Sequence, residues 1–166
     1  MTAARTPPSA RAWLGLVALI VACNGAGFVS AMIVDPAQTQ PFYQALVRPS
    51  WAPPPWLFAP AWTTLYTLMA IATWLVWRHT HGASRRRAMG LFGTQLALNL
   101  AWTPVFFGLH AIGAAIAVIV ANLLAVIATA VAYHRRVALA GWLLMPLALW
   151  VGFASALNIA IWRLNS

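Results

Sequence analysis

Five stretches of the chain run for about twenty residues or more, enough at ~1.5 Å per residue to cross a ~30 Å hydrocarbon core, without Asp, Glu, Lys or Arg. They are Ala12 to Val34, Leu57 to Trp77, Ala88 to Leu109, Ala111 to Tyr133 and Val137 to Trp162. A soluble core has no use for so much continuous apolar sequence, and a transmembrane barrel would alternate in segments of about ten residues. Composition agrees: 63% of residues are hydrophobic and 7% charged, against about 45–50% and about 25% in ordinary soluble domains. The expected fold is all-α, a single membrane-embedded bundle of five transmembrane helices over residues 1–166, with a lid loop at 35–56. The first run is too long for a signal-peptide core, carries Asn24, Gly25 and Gly27 in its middle, and is read as a span.

Charge sets the expected orientation. Every one of the ten basic residues is arginine. Five spans put Arg5, Arg11, Arg78, Arg85, Arg86, Arg87, Arg135 and Arg136 on one side and only Arg48 and Arg163 on the other. The positive-inside rule then predicts a cytoplasmic N-terminus and an external C-terminus. A net charge of +9 does not argue for nucleic acid, because these arginines sit in short loops at helix ends where insertion explains them. The Arg85 to Arg87 run is suited to anionic lipid head groups.

Catalytic chemistry finds little to use. Cys23 is the only cysteine and Asp35 the only acidic residue, so no disulfide, thiolate cage, carboxylate relay or Ser-His-Asp arrangement can be assembled. His79, His81, His110 and His134 fall at helix ends without acidic neighbours, and no metal site is expected.

Two departures from a plain bundle stand out. Between Asp35 and Trp56 lies a connection far longer than most, holding Pro49, Pro53, Pro54 and Pro55, and hence expected to be largely extended. Its Phe42, Tyr43, Trp51 and Trp56 fit either an interfacial aromatic belt or a lid over a cavity. Within the spans, Asn24, Gln95, Asn99, Thr103, Asn122 and Asn158 each need a partner, because an unpaired polar group in hydrocarbon is costly. Gln95, Asn99 and Trp102 share one face of the third helix, and Gly93, Ala97 and Ala101 form a small-residue ridge nearly opposite. Such amides glue helices or line a cavity, and such ridges pack within the bundle or against a second subunit. Phe58, Trp62 and Tyr66 recur every four residues on the second helix, as do Trp150, Ala154 and Asn158 on the fifth. Core packing is the plainer account of these stripes, and flat rings beside a few amides are also the ingredients of a site for a large planar apolar ligand.

These residues carry a family resemblance. Arg48 to Tyr66, RPSWAPPPWLFAPAWTTLY, resembles the WxPPxWxFxPxWxxLY block of the TspO/MBR family; Gln95 to Gly108, QLALNLAWTPVFFG, resembles its QLxxNxxWTPxFFG block; and Pro146 to Asn165 resembles its last-helix block. The family comprises tryptophan-rich sensory proteins and the translocator or peripheral benzodiazepine receptor proteins. The resemblance implies a five-helix, commonly dimeric bundle that binds porphyrins such as protoporphyrin IX or haem beneath the first loop, without an obligatory cofactor. By motif position, Tyr43, Trp62, Asn99, Trp102, Trp150, Ala154 and Asn158 would line the cavity, with Trp51, Phe58, Gln95 and Phe106 as further contacts. Gly93, Ala97 and Ala101 would face the second subunit. The sequence departs from the animal sterol motif: Asn158 to Arg163 reads NIAIWR, with no tyrosine. A porphyrin-binding sensor or translocator is the leading expectation. The alternatives are photo-oxidative porphyrin breakdown at Trp62 and Trp150, and passive shuttling of apolar ligands. The cytoplasmic membrane is the expected host, with the outer membrane possible by family analogy.

Overall fold

Continuous apolar sequence folds as helix in a membrane because only a helix satisfies its own backbone there. The computed structural model describes residues 9–34 and 36–166; Arg5 and Asp35 lie outside them, and with them the inferences drawn from those two charges. The helices are α1 (Ala10–Met32), α2 (Pro36–Ala45), α3 (Phe58–His79), α4 (Gly82–Thr103), α5 (Ile112–His134), α6 (Ala138–Leu143) and α7 (Met145–Asn165). A 3-10 turn at Pro55–Leu57 leads into α3, and a π-helical turn at Pro104–Gly108 prolongs α4.

The all-α membrane class holds, but the count of five apolar spans needs correction. Among the described residues, four segments are both long and apolar enough to cross: Ala10–Met32, Pro55–His79, Ile112–His134 and Ala138–Asn165. The third expected span, α4, starts six residues before Ala88 and takes the Arg85–Arg87 run into its first turns. Those arginines, with Thr94, Gln95 and Asn99, lower its hydropathy. It nevertheless runs antiparallel along α5, as bonds from Tyr133 Oη to the Ala88 carbonyl (3.4 Å) and from Thr129 Oγ1 to the Leu91 carbonyl (3.4 Å) show. α4 is thus a more polar rod shielded by less polar ones.

The 35–56 connection differs as well. Its first half is the helix α2, with Pro41 inside it, and only the segment holding Pro49, Pro53 and Pro54 is non-helical. Four prolines clustered after residue 48 leave the preceding ten residues free to coil.

Prolines also shape the helices that flank the lid. Pro104 has no N–H to donate, and the turn after it widens so that the Leu109 N–H reaches the Pro104 carbonyl at 2.9 Å. His110 follows in the left-handed region at φ 53°, which reverses the chain into α5 within two or three residues. The last run is not one straight helix: Leu144 interrupts it, and Pro146 opens α7. Below the break α6 packs against α3 and α5; beyond it α7 follows α5 and leaves α3.

Two ends result. At the arginine end, Trp13 stacks on Trp74 at 5.5 Å, Trp74 Nε1 donates to the Ala12 carbonyl at 2.8 Å, and the Arg78 and Arg85 guanidiniums cover the Trp74 and Trp77 rings at 4.8 and 4.7 Å. At the lid end, α2 and the loop after it cap the bundle. The start of α1 lies at the first end, where Ala12 meets Trp74, and the end of α7 at the second, where Asn165 meets Val47.

Candidate functional site

The expected site residues gather at the lid end in two aromatic groups that meet. The first stands between α3 and α7. Trp62 contacts Tyr66 (5.5 Å between ring centroids) and lies edge-on to Trp150 at 6.4 Å and 85°. Phe58 meets Trp150 at 6.0 Å, and Phe153 meets both Trp150 (5.9 Å) and Trp51 of the loop (5.7 Å). Four-residue spacing on α3 and three-residue spacing from Trp150 to Phe153 put these rings on one face of each helix, one turn above the other.

The second group sits under α2. Trp102 stacks on Phe106 at 4.9 Å and 26°, Phe106 and Phe107 meet at 4.8 Å, and the widened turn after Pro104 buries Phe106 almost completely. From the lid, Phe42 stacks on His110 at 4.0 Å and touches Phe106, while Tyr43 meets Phe107 at 5.9 Å beneath the Arg48 guanidinium. Phe58, Trp102 and Phe153 pack around the same buried patch of Phe106, Ala115, Leu157 and Ile161, which joins the two groups.

The amides act largely as glue. Asn158 accepts from Trp102 Nε1 at 3.0 Å and donates to the Ile112 carbonyl at 3.1 Å, tying α4, α5 and α7 together. Asn99 Oδ1 accepts from Tyr66 Oη at 2.7 Å, and a methyl at Gly27 would overlap that tyrosine's ring, so α1 closes over the same bond. Gln95 donates to Met69 Sδ at 2.8 Å. Ala154, half-buried, packs near Trp150 on the main core. The ridge opposite is open: Gly93 and Ala97 are exposed, Ala101 is half-buried, and a Cβ at Gly93 would meet nothing within 4 Å among the described residues.

Not all polar groups are satisfied. Tyr43 Oη, Trp150 Nε1, Gln95 Oε1 and Asn122 Oδ1 are buried without a hydrogen-bond partner among the described residues. Beside Trp150 lies a groove of about 560 Å³ between the lid-end half of α3 (Ala61, Thr64, with Leu57 of the preceding turn) and α7 (Pro146, Trp150, Phe153). It falls within the ~300–1,000 Å³ common for small-molecule sites. Of the expected lining only Trp150 borders it; Trp62, Asn99, Trp102 and Asn158 stand behind, filled in by one another. Phe153, Phe107 and the α3 groove stripe went unread in the sequence. The heptad-like recurrence of Leu57, Ala61, Thr64 and Leu68 was the available signal.

A profile of the TspO/MBR family matches residues 18–163. The chain belongs to that family. It is 38% identical over 155 residues to a protein of Sus scrofa named translocator protein, covering 92% of this chain and 91% of that one. To protein CrtK of Rhodobacter capsulatus it is 39% identical over 150 residues, 87% and 89% of the two chains. The tryptophan-rich protein TspO of Archaeoglobus fulgidus is 40% identical over 154 residues, 92% and 98%. As a TspO/MBR protein with four apolar spans, the chain is an integral multi-pass membrane protein of the sensor or translocator kind. The aromatic rings at its lid end fall within the matched segment.

Proposed function

We propose that this TspO/MBR protein binds a planar apolar tetrapyrrole, protoporphyrin IX or haem, against the aromatic wall of Trp150 and Phe153, backed by Phe58 and Trp62, and acts as a sensor or carrier of that ligand. The observation that carries this reading is the indole N–H of Trp150, buried and without a partner among the described residues, at the edge of an apolar groove of about 560 Å³. An unpaired donor in such surroundings costs about 1–3 kcal/mol, which an acceptor on a ligand offsets. A parallel sandwich between Trp62 and Trp150 would need planes about 7 Å apart, twice a ~3.5 Å contact. Their edge-on arrangement instead leaves the Trp150 and Phe153 side as the stacking surface. Subunit pairing through Gly93, Ala97 and Ala101 belongs to the same proposal, because small residues on an open helix face let a second helix approach closely.

The test is a titration of purified protein with protoporphyrin IX, followed by quenching of tryptophan fluorescence. Trp150→Ala loses both stacking and buried area, and its affinity should fall about ten-fold or more, ~1.4 kcal/mol. Trp13→Ala and Trp77→Ala, at the arginine end, should keep the parent affinity. Equal losses in all three, in folded protein, would reduce the tryptophans to bundle packing and end the proposal.

A further inference from the structure

The lid and the groove offer a ligand two different ways in, and they are not equally open. At the lid, the Asn165 side-chain amide at the end of α7 pairs with both backbone groups of Val47: the Val47 N–H donates to Oδ1 at 3.0 Å, and Nδ2 donates to the Val47 carbonyl at 2.9 Å. That amide is itself fixed by a bond from Nδ2 to the Ile161 carbonyl at 2.7 Å. Phe42 on His110, Tyr43 on Phe107 and Trp51 on Phe153 add ring contacts along the lid. Opening it by this path breaks several of these contacts together.

Among the described residues no hydrogen-bonded latch closes the groove, where the ring contacts between α3 and α7 are those of Phe58 and Trp62 with Trp150. α7 diverges from α3 beyond the break at Leu144 and Pro146, and among the described residues no side-chain hydrogen bond crosses from one helix to the other there. The hydroxyl on the α3 wall is already spent within the helix, Thr64 on the Pro60 carbonyl at 2.9 Å. Entry therefore disturbs no polar contact between the two helices. The groove's walls belong to two apolar spans, so its mouth faces lipid. An apolar planar solute concentrates in lipid for the same reason that apolar surface is buried on folding.

We infer that the ligand reaches Trp150 sideways, from the lipid phase through the groove between α3 and α7, while the lid stays latched by Asn165. The inference rests on the tetrapyrrole reading above and assigns the α3 stripe and the Asn165 latch to it. Two sets of variants separate the routes. Val47→Cys with Asn165→Cys, in a Cys23→Ala background, are joined by a short bis-maleimide to hold the lid shut. Ala61→Trp and, separately, the more exposed Thr64→Trp fill the groove. Each protein is reconstituted in liposomes preloaded with protoporphyrin IX, and association is followed by the shift of the porphyrin absorption band. The cross-linked protein should associate at the parent rate. Each groove variant should be slower by about ten-fold or more, within the one to three decades over which association rates vary among mutants of one site. Loss of association on cross-linking overturns the lateral route, as does equal slowing in both sets; the cross-link decides alone if a groove variant fails to fold. Absence of any band shift in the Cys23→Ala parent would instead overturn the ligand reading itself.

Discussion

The arginine end and the lid end of the bundle are built on opposite terms. At the arginine end, Ala70, Ala72, Thr73, Val76, Tyr133, Ala140 and Leu144 have no exposed surface. Small residues bring α3, α5 and α6 close, and the buried Tyr133 hydroxyl lies within reach of Thr73 Oγ1 (3.3 Å) and the Ala88 carbonyl (3.4 Å). At the lid end, large half-buried rings meet edge to face, Tyr43 and Trp150 keep unpaired polar atoms, and a groove runs between two helices. Close packing with small residues leaves one arrangement available, whereas rings that touch at their edges can turn. In this fold close packing and open groove space are separated along the helix axes. The α7 break at Leu144 marks the boundary between them.

The largest expected effect breaks the rigid end. A Cβ at Gly141 would lie 2.8 Å from the His134 Cα and 3.0 Å from the Ala130 carbonyl oxygen, backbone atoms that cannot step aside. Gly141→Val should therefore cost about 3 kcal/mol or more through overpacking, seen as a lower thermal midpoint by circular dichroism in detergent. An unchanged midpoint would show that α5 and α6 are looser than this contact implies.

Next comes the knot that joins the two ends of the site. Asn158→Ala strands Trp102 Nε1 and removes a bond to the Ile112 carbonyl, and should destabilise by about 1–3 kcal/mol. Retention of the parent midpoint would mean that water or another group replaces the amide. Porphyrin affinity should drop less here than for Trp150→Ala, because Asn158 stands behind the wall.

A substitution on the open face of α4 should leave both ends intact. Ala97→Phe is expected to yield monomers by light scattering in detergent while porphyrin affinity stays within about two-fold, less than ~0.5 kcal/mol. Dimers that persist would assign the Gly93, Ala97 and Ala101 face to lipid. The smallest effect belongs to the latch. Asn165→Ala removes the two exposed bonds to Val47 and the one to the Ile161 carbonyl. Water takes over the exposed partners, so the net cost should total no more than about 0.5–1.5 kcal/mol, and the thermal midpoint should move least while proteolysis between Val47 and Trp56 becomes faster. Identical cleavage rates would show that the ring contacts hold the lid without Asn165.

Several of these features were legible before any coordinates. Uninterrupted apolar length determined the spans, because a chain in hydrocarbon has no other way to satisfy its backbone. Arginine position marked one end, and the four-residue spacing of Phe58, Trp62 and Tyr66 placed those rings on one helix face. The face of Gln95 and Asn99 was correctly opposed to that of Gly93 and Ala97, since helical periodicity alone decides it. Local sequence misjudged α4, whose start at Gly82 draws three arginines into the helix, and α2, whose single Pro41 did not prevent coiling.

What the sequence determined by itself is whatever depends on solvent and on neighbours within a turn: all-α membrane class, the helix faces, the tryptophan-rich blocks of the TspO/MBR family. The tertiary structure alone decided which polar groups are spent and which are left over. Asn99 and Asn158 were candidates for ligand contacts, and packing committed them to Tyr66, Trp102 and Ile112. Trp150 stood out in the sequence by its stripe with Ala154 and Asn158, but only packing left its N–H without an acceptor among the described residues, beside a groove that exists because α7 turns away from α3. The same holds for Asn165, a terminal polar residue of no evident pattern until Val47 is brought against it from 118 positions away. Hydrogen-bond partners so distant along the chain are fixed by where whole helices lie, and spacing along one helix carries no record of that.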